Sequence, residues 1–289
     1  MIKFRQIISI LVFFVFLSNF SNANALWRLD GLDLSNVRNF RIASANTSAS
    51  AQLSEKSLPL LYEVLKKEAN TGTPIYIVDL RQESHGFANG IPVSWYEEHN
   101  HANFGKSVSF IEQDEVSRLK SILGKIVEFV PLGKNDEDTL NKLTMQIKFI
   151  QNERHAAQSA GFKYVRFTAA DMVFPAPEVV DDFIKFYFSL PKNYWLHFHC
   201  HAGHGRTTTF LVFYDILTCP NLSLEEIVNR QHSLGGTNIL ETNDDDNWYA
   251  ENNRERAKKI RLFYEYVQEQ RNNNFSTSWK DWISLQKIE

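Results

Sequence analysis

Cysteine is scarce in this 289-residue chain, which carries only Cys200 and Cys219. Two cysteines exclude a disulfide-stapled scaffold. Twelve glycines and eight prolines are too few for a collagen-like or low-complexity chain. There is no internal repeat and no long low-complexity linker, so a solenoid or an open string of modules is excluded. Neither charge sign dominates. Lys and Arg number 31 against 34 Asp and Glu, a net charge of −3, which argues against a general nucleic-acid binder. No apolar run reaches the roughly 20 residues that a membrane-spanning helix needs.

What is present is an ordinary globular composition, 43% hydrophobic and 22% charged, with 13% aromatic residues to pack a core. The N-terminus has the pattern of a secretory signal. Lys3 and Arg5 precede the apolar run Ile7 to Leu17, and Ala23-Asn24-Ala25 has the small-x-small form of a cleavage site. The expectation is a signal peptide over 1–25 and one mature domain over 26–289, exported to the periplasm or secreted. The alternatives are an uncleaved anchor and a buried first helix. Cleavage would move the net charge from −3 to −5. A positive field for an anionic substrate must then be local.

The spacing predicts a short strand over Asn39–Ala43, a helix over Ser54–Ala69 and a buried parallel strand over Ile75–Leu80. Residues 81–110 lack a clear period. A helix over Asp114–Leu123, a strand over Ile126–Val130 and a long helix over Thr139–Ser159 follow. Then strands and helices alternate: strand Phe162–Thr168, helix Pro177–Leu190, strand Tyr194–His199 and helix Arg206–Thr218. Helices over Ser223–Ser233 and Trp248–Arg271 close the chain. This rhythm predicts an α/β fold with a mainly parallel central sheet flanked by helices. Ligands in such sheets bind beyond the carboxyl ends of strands, where Asp79, Asp171 and Cys200 fall. A helix between the two cysteines holds them on the order of 20 Å apart, beyond the roughly 7 Å that a disulfide spans. Cys200 is expected to be a free thiol.

The segment His199-Cys200-His201-Ala202-Gly203-His204-Gly205-Arg206-Thr207-Thr208 sits between a strand and a helix. A thiol facing a helix N-terminus is stabilised as thiolate by the dipole and by free N–H groups. Gly203 and Gly205 let successive N–H groups turn inward as an anion cradle. Arg206 adds a planar fork suited to two phosphate oxygens. Thr207 is expected to donate to the thiolate, and His199 to order its surroundings. His201 and His204 are expected at the pocket mouth. The histidines do not suggest a metal, whose ligands converge from separate elements, so neither metal nor cofactor is expected. Breaking a phosphate ester also needs a proton for the leaving oxygen. Asp171, after a strand end, is in the right place, although turns also begin with Asp.

These residues resemble the Cys-x5-Arg signature of protein tyrosine phosphatases. The wider chain is similar to the bacterial protein-tyrosine-phosphatase-like phytases. The likeness runs through Asn39-Phe40-Arg41, Val78 to Gly86, Pro92 to Tyr96, Pro131 to Lys134, Phe167 to Asp171, Trp195 to Cys200, Arg230 to His232 and Phe263 to Gln268. The resemblance implies a tyrosine-phosphatase-like fold with an added small β-rich subdomain, from segments within about 42–55 and 84–135. It implies stepwise removal of phosphates from myo-inositol hexakisphosphate and related inositol polyphosphates through a phosphocysteine. Cys200 would be the nucleophile and Asp171 the general acid. Arg41, Lys134 and Arg256 would be pocket cations, beside the loop residues 201–205. Two departures stand out: Met172 follows the acid where relatives have His, and Tyr249 follows Trp248 where they have a basic residue. Other readings are a phosphoinositide lipid or phosphotyrosine phosphatase acting as an exported effector, and a non-catalytic inositol-phosphate-binding module.

Overall fold

The computed structural model describes residues 26–31, 35–44, 46–130 and 142–286. Its strands are β1 (Leu26–Leu29), β2 (Arg41–Ser44), β3 (Thr47–Ser50), β4 (Ile75–Asp79), β5 (His85–Ala88), β6 (Ile91–Tyr96), β7 (Ile126–Phe129), β8 (Leu143–Gln146), β9 (Ile150–Gln151), β10 (Lys163–Arg166) and β11 (Trp195–His199). Its helices are α1 (Ser57–Glu68), α2 (Val108–Ile122), α3 (Glu153–Ser159), α4 (Pro177–Ser189), α5 (Gly205–Thr218), α6 (Leu224–Ser233), α7 (Trp248–Arg271) and α8 (Trp279–Ser284).

The main sheet has the order β10-β4-β11-β3-β2. Its first four strands pair in parallel and β2 closes the edge antiparallel. Side chains alternate between the two faces of a strand, and both faces are buried here. Ile75 and Ile77 of β4 pack with Leu58, Leu61 and Leu65 of α1. Val78 and Leu80 point the other way, into a core with Phe183 of α4, Phe213 of α5, Phe263 of α7 and Trp279 of α8. A second sheet, β1-β6-β5-β9, is antiparallel throughout, and β7 and β8 form a separate antiparallel pair. These smaller elements share a core of Trp27, Leu29, Val93, Leu119 and Phe129.

Four expectations are corrected. Segment 42–55, assigned to the small subdomain, supplies β2 and β3 of the main sheet; the second sheet takes strands from 26–29 and 150–151 as well. In the described part of Thr139–Ser159 the expected long helix is reduced to α3, Glu153–Ser159. Leu143–Gln146 pairs with β7 and Ile150–Gln151 with β5. The helix starts only after Asn152, whose side chain accepts from His155 N–H as an N-cap. Residues 81–110 hold a hairpin, β5–β6, turning at Asn89-Gly90 with φ of 52° and 80°. That dipeptide is a strong hairpin signal. Strands β1 and β3 and helix α8 were not anticipated. Both cysteines are free, as the helix length required. The expected signal segment 1–25 lies outside the described residues. No described helix is long and apolar enough to cross a membrane.

Candidate active site

Strand β11 delivers Cys200 to the head of α5, and the loop between them is shaped from outside. The His201 carbonyl accepts from Gln52 N–H (3.1 Å), the Ala202 carbonyl from Asn39 Nδ2 (2.7 Å) and the Gly203 carbonyl from Arg41 Nη1 (2.9 Å). Three successive carbonyls are thus drawn outward, which leaves amides free to face the sulfur. Gly203 N–H donates to Cys200 Sγ at 3.3 Å. Gly203 has φ of 77°, and a Cβ there would stand 2.6 Å from Ala51 N. Both the turn and the close approach exclude a side chain.

Arg206 is 3% exposed. Its Nη1 and Nη2 form a bidentate pair with Glu83 at 2.6 and 3.0 Å, and Nη1 also reaches the Ala169 carbonyl. The fork expected to bind phosphate is therefore held by Glu83. A guanidinium has five N–H groups, so the Nε–H and one Nη2 hydrogen remain on the adjoining edge as a second fork. Asp171 Oδ1 lies 3.2 Å from that Nε. Burial opposes the charge of Arg206, but Asp171, Glu83 and Cys200 together hold its pKa well above the usual value.

Behind Glu83 stands a chain of buried charges. Arg81 joins Glu83 (2.7 Å) to Asp30 (2.8 Å). His201 Nε2 lies 3.2 Å from Asp30 Oδ1, so His201 is buried against β1's end rather than open at the mouth. His204, with Nε2 3.0 Å from Asn39 Nδ2, stays near the surface. His199 Nε2 is 3.1 Å from Glu153 Oε1. His197 is gripped by Ser48 and Ser50, a satisfied core histidine. Thr207 is fully buried and its hydroxyl has no hydrogen-bond partner. The expected bond from Thr207 to the sulfur is not formed.

Asp171 is held at both oxygens. Oδ1 accepts from Met172 N–H (3.1 Å) and Oδ2 from Asn100 Nδ2 (3.2 Å). Arg41 is 7% exposed with Nε and Nη2 unpartnered, and the charge of Cys200 acts on it. Arg256, 6% exposed, has Nη1 3.2 Å from where a Gly205 Cβ would be. Its guanidinium therefore covers the head of α5. Lys134 lies outside the described residues. Arg38, whose Nη2 donates to the Asp30 carbonyl (2.7 Å), is a further cation acting on Cys200. Glu83, Arg81, Asp30 and Asn100 were not singled out from sequence. The signal for Glu83 was physical: a buried Arg206 requires a carboxylate.

Asp79, His85 and Glu153 bring ligand-type atoms within 4.8 Å of one another. Protons already serve this group. His85 Nδ1 faces the Glu83 carbonyl and Nε2 faces Glu153, each at 2.8 Å. Two acceptors require both ring nitrogens to donate, which is the imidazolium form. Burial, the largest single influence, pushes His85 down, but the charge of Asp79 and its hydrogen bond, with the carboxylates around the ring, raise the pKa to about 10. Arg166 adds a second cation, 3.1 Å from Asp79.

The fold and this loop define the architecture of a Cys-x5-Arg phosphatase. A family model described as PTP-like phytase, inositol hexakisphosphate, matches residues 78–218. A PTP-like phytase from Bdellovibrio bacteriovorus is 32% identical with a TM-score of 0.76, covering 91% of this chain and 96% of that one. A PTP-like myo-inositol phosphatase from Mitsuokella multacida, solved with myo-inositol-(1,3,4,5)-tetrakisphosphate, is 34% identical with a TM-score of 0.85. That match covers 90% of this chain and 49% of the other. The effector protein hopD2 of Pseudomonas syringae pv. tomato is 28% identical over 222 residues, 73% of this chain. The chain spans about half the length of these last two relatives, 49% and 46%. The chain belongs to the PTP-like phytase family.

Proposed function

We propose that this protein hydrolyses phosphate monoesters of inositol polyphosphates, myo-inositol hexakisphosphate among them, through a phosphocysteine. The observation that carries the reading is the Gly203 N–H donating to Cys200 Sγ at the head of α5, with Arg206 and Asp171 3.2 Å apart beside it. Cys200 attacks phosphorus in line. Amides of residues 201–205 and the free edge of Arg206 hold the phosphoryl oxygens. Asp171 protonates the leaving oxygen, then draws a proton from the water that releases phosphate. No metal or cofactor enters these steps. Arg41, Arg38 and Arg256 hold further phosphates of a polyanionic substrate, with Lys134 a family-based addition. His199 orders the base of the loop.

The pattern of residues 1–25 and the effector named among the relatives support a second element, that the protein is exported, with a host cell as one destination. Phosphate release from myo-inositol hexakisphosphate, soluble phosphoinositides and a phosphotyrosine peptide tests the reading. The inositol polyphosphate should have the highest kcat/KM. A dominant phosphotyrosine rate would replace it with the protein phosphatase reading. Binding without turnover of any of the three would leave only a binding module.

A further inference from the structure

The turn that precedes α2 touches the acid loop at Oδ2 of Asp171. Asn100 is 4% exposed. Its Nδ2 donates to Glu83 Oε1 at 2.9 Å and to Asp171 Oδ2 at 3.2 Å. The amide cannot turn over. Glu83 is held ionised by Arg206 and Arg81, so it only accepts, and a flip would press the Asn100 carbonyl oxygen against a carboxylate. The second N–H therefore always faces Asp171 Oδ2. Three residues with side chains adopt left-handed backbone around this contact: His99 (φ 56°), Asn100 (φ 63°) and Met172 (φ 65°). Such conformations cost energy and persist only where their surroundings enforce them. The enforcing contacts are visible. His99 stacks on Trp248, the first residue of α7, at 3.9 Å and 12°. His101 Nε2 pairs with the Asp171 carbonyl at 2.8 Å.

We propose that Asn100 is the positioning residue of the proton donor, fixing Oδ1 of Asp171 as the oxygen that delivers the proton. This rests on the reading of Asp171 as general acid. Oδ2 is committed to Asn100; Oδ1, which keeps the Met172 N–H, is the oxygen that faces the reacting edge, because Arg206 Nε, 3.2 Å away, lies on the edge offered to phosphate. When a phosphoryl oxygen takes that edge, Oδ1 turns to the ester oxygen. The S–P bond forms as the P–O bond breaks, and the leaving oxygen takes the bond pair together with the Oδ1 proton. The charged groups that face this carboxyl are the guanidiniums of Arg206 and Arg256, with Glu83 on the far edge of Arg206.

The test uses Asn100→Gly, which removes the amide and suits a positive φ, and Asn100→Asp, which keeps the shape but loses the donor. Asp171→Asn is measured alongside. Misplacing the acid should lower kcat on an alkyl inositol phosphate about 10- to 100-fold. KM should be unchanged, and para-nitrophenyl phosphate, whose leaving group needs little protonation, should be hydrolysed within about threefold of the parent rate. Equal losses on both substrates, or no loss on either while Asp171→Asn is impaired, would overturn the role of Asn100 alone. If Asp171→Asn hydrolyses the alkyl substrate at the parent rate, the proton-donor reading falls first, and this inference with it.

Discussion

Each residue of the loop answers a separate physical demand. Gly203 must pass beneath Ala51 with positive φ while its N–H points at the sulfur. Gly203→Ala should therefore lower stability by at least about 1 kcal/mol and reduce turnover together, read by denaturant melts and steady-state assay. Cys200→Ser should abolish turnover while retaining affinity for an inositol polyphosphate, measured by calorimetry, since the hydroxyl lacks the thiolate's nucleophilicity but keeps the cradle. Cys200 and Arg206 stood out as candidates because loop chemistry is written in consecutive residues, and Asp171 because it follows a strand end and matches the family's acid. Their supports did not. Glu83, Asn100 and Asp30 come from segments far apart in the chain, and nothing in their local pattern marks them. Thr207 shows the opposite error: its neighbourhood in sequence suggested a bond to sulfur that its buried rotamer does not make.

Among the elements, α5 matters most. It is buried from Arg206 to Leu217, so its axis, and with it the loop, is fixed by packing on all sides. Phe213 contacts the rings of Phe174, Phe183, Phe210 and Phe263 at centroid distances of 5.6, 6.3, 5.4 and 4.3 Å. Phe213→Ala should cost about 3–5 kcal/mol by chemical denaturation, a loss that lies in the core and leaves the loop's residues in place. The strand–helix rhythm from 162 to 218 was readable because short apolar runs are bounded by helix starts such as Pro177. The stretch from 139 to 159 misled because its apolar spacing fits a helix as well as a strand edge. Pairing with β7 and β5 decided the matter, and local spacing carries no record of partners. The β5–β6 hairpin was legible in Asn89-Gly90 and was passed over.

For the whole molecule, the ionic cluster at the carboxyl ends of β4, β10 and β11 couples stability to pH. The folded-state pKa of His85, about 10, exceeds the ordinary 6.5. Its stabilisation is therefore complete below about pH 6.5 and is lost as pH rises toward 10. Asp79, Glu83 and Glu153 are held below their ordinary values, chiefly by His85, Arg206 and His199 respectively, against burial. They contribute stability above the usual carboxylate range that is lost on acidification. The thermal midpoint should fall from pH 7 to 10, and a His85→Gln variant, less stable at pH 7, should show a shallower decline. Parallel curves for the two proteins would remove His85 from this role. The general architecture was legible from strand–helix alternation, but the split between sheets was not. Segments 26–29 and 150–151 join one sheet across more than 120 residues of chain.

The account depends on covalent transfer of phosphate to Cys200. The most direct measurement is the intact mass of Asp171→Asn, acid-quenched during turnover of para-nitrophenyl phosphate, whose leaving group needs little protonation, so that mainly the second step is slowed. The predicted result is a mass gain of one phosphoryl group, mapped to the Cys200 peptide and absent when Cys200→Ser is added. Product formation with no phosphoryl group on Cys200, or with one on another residue, would contradict it.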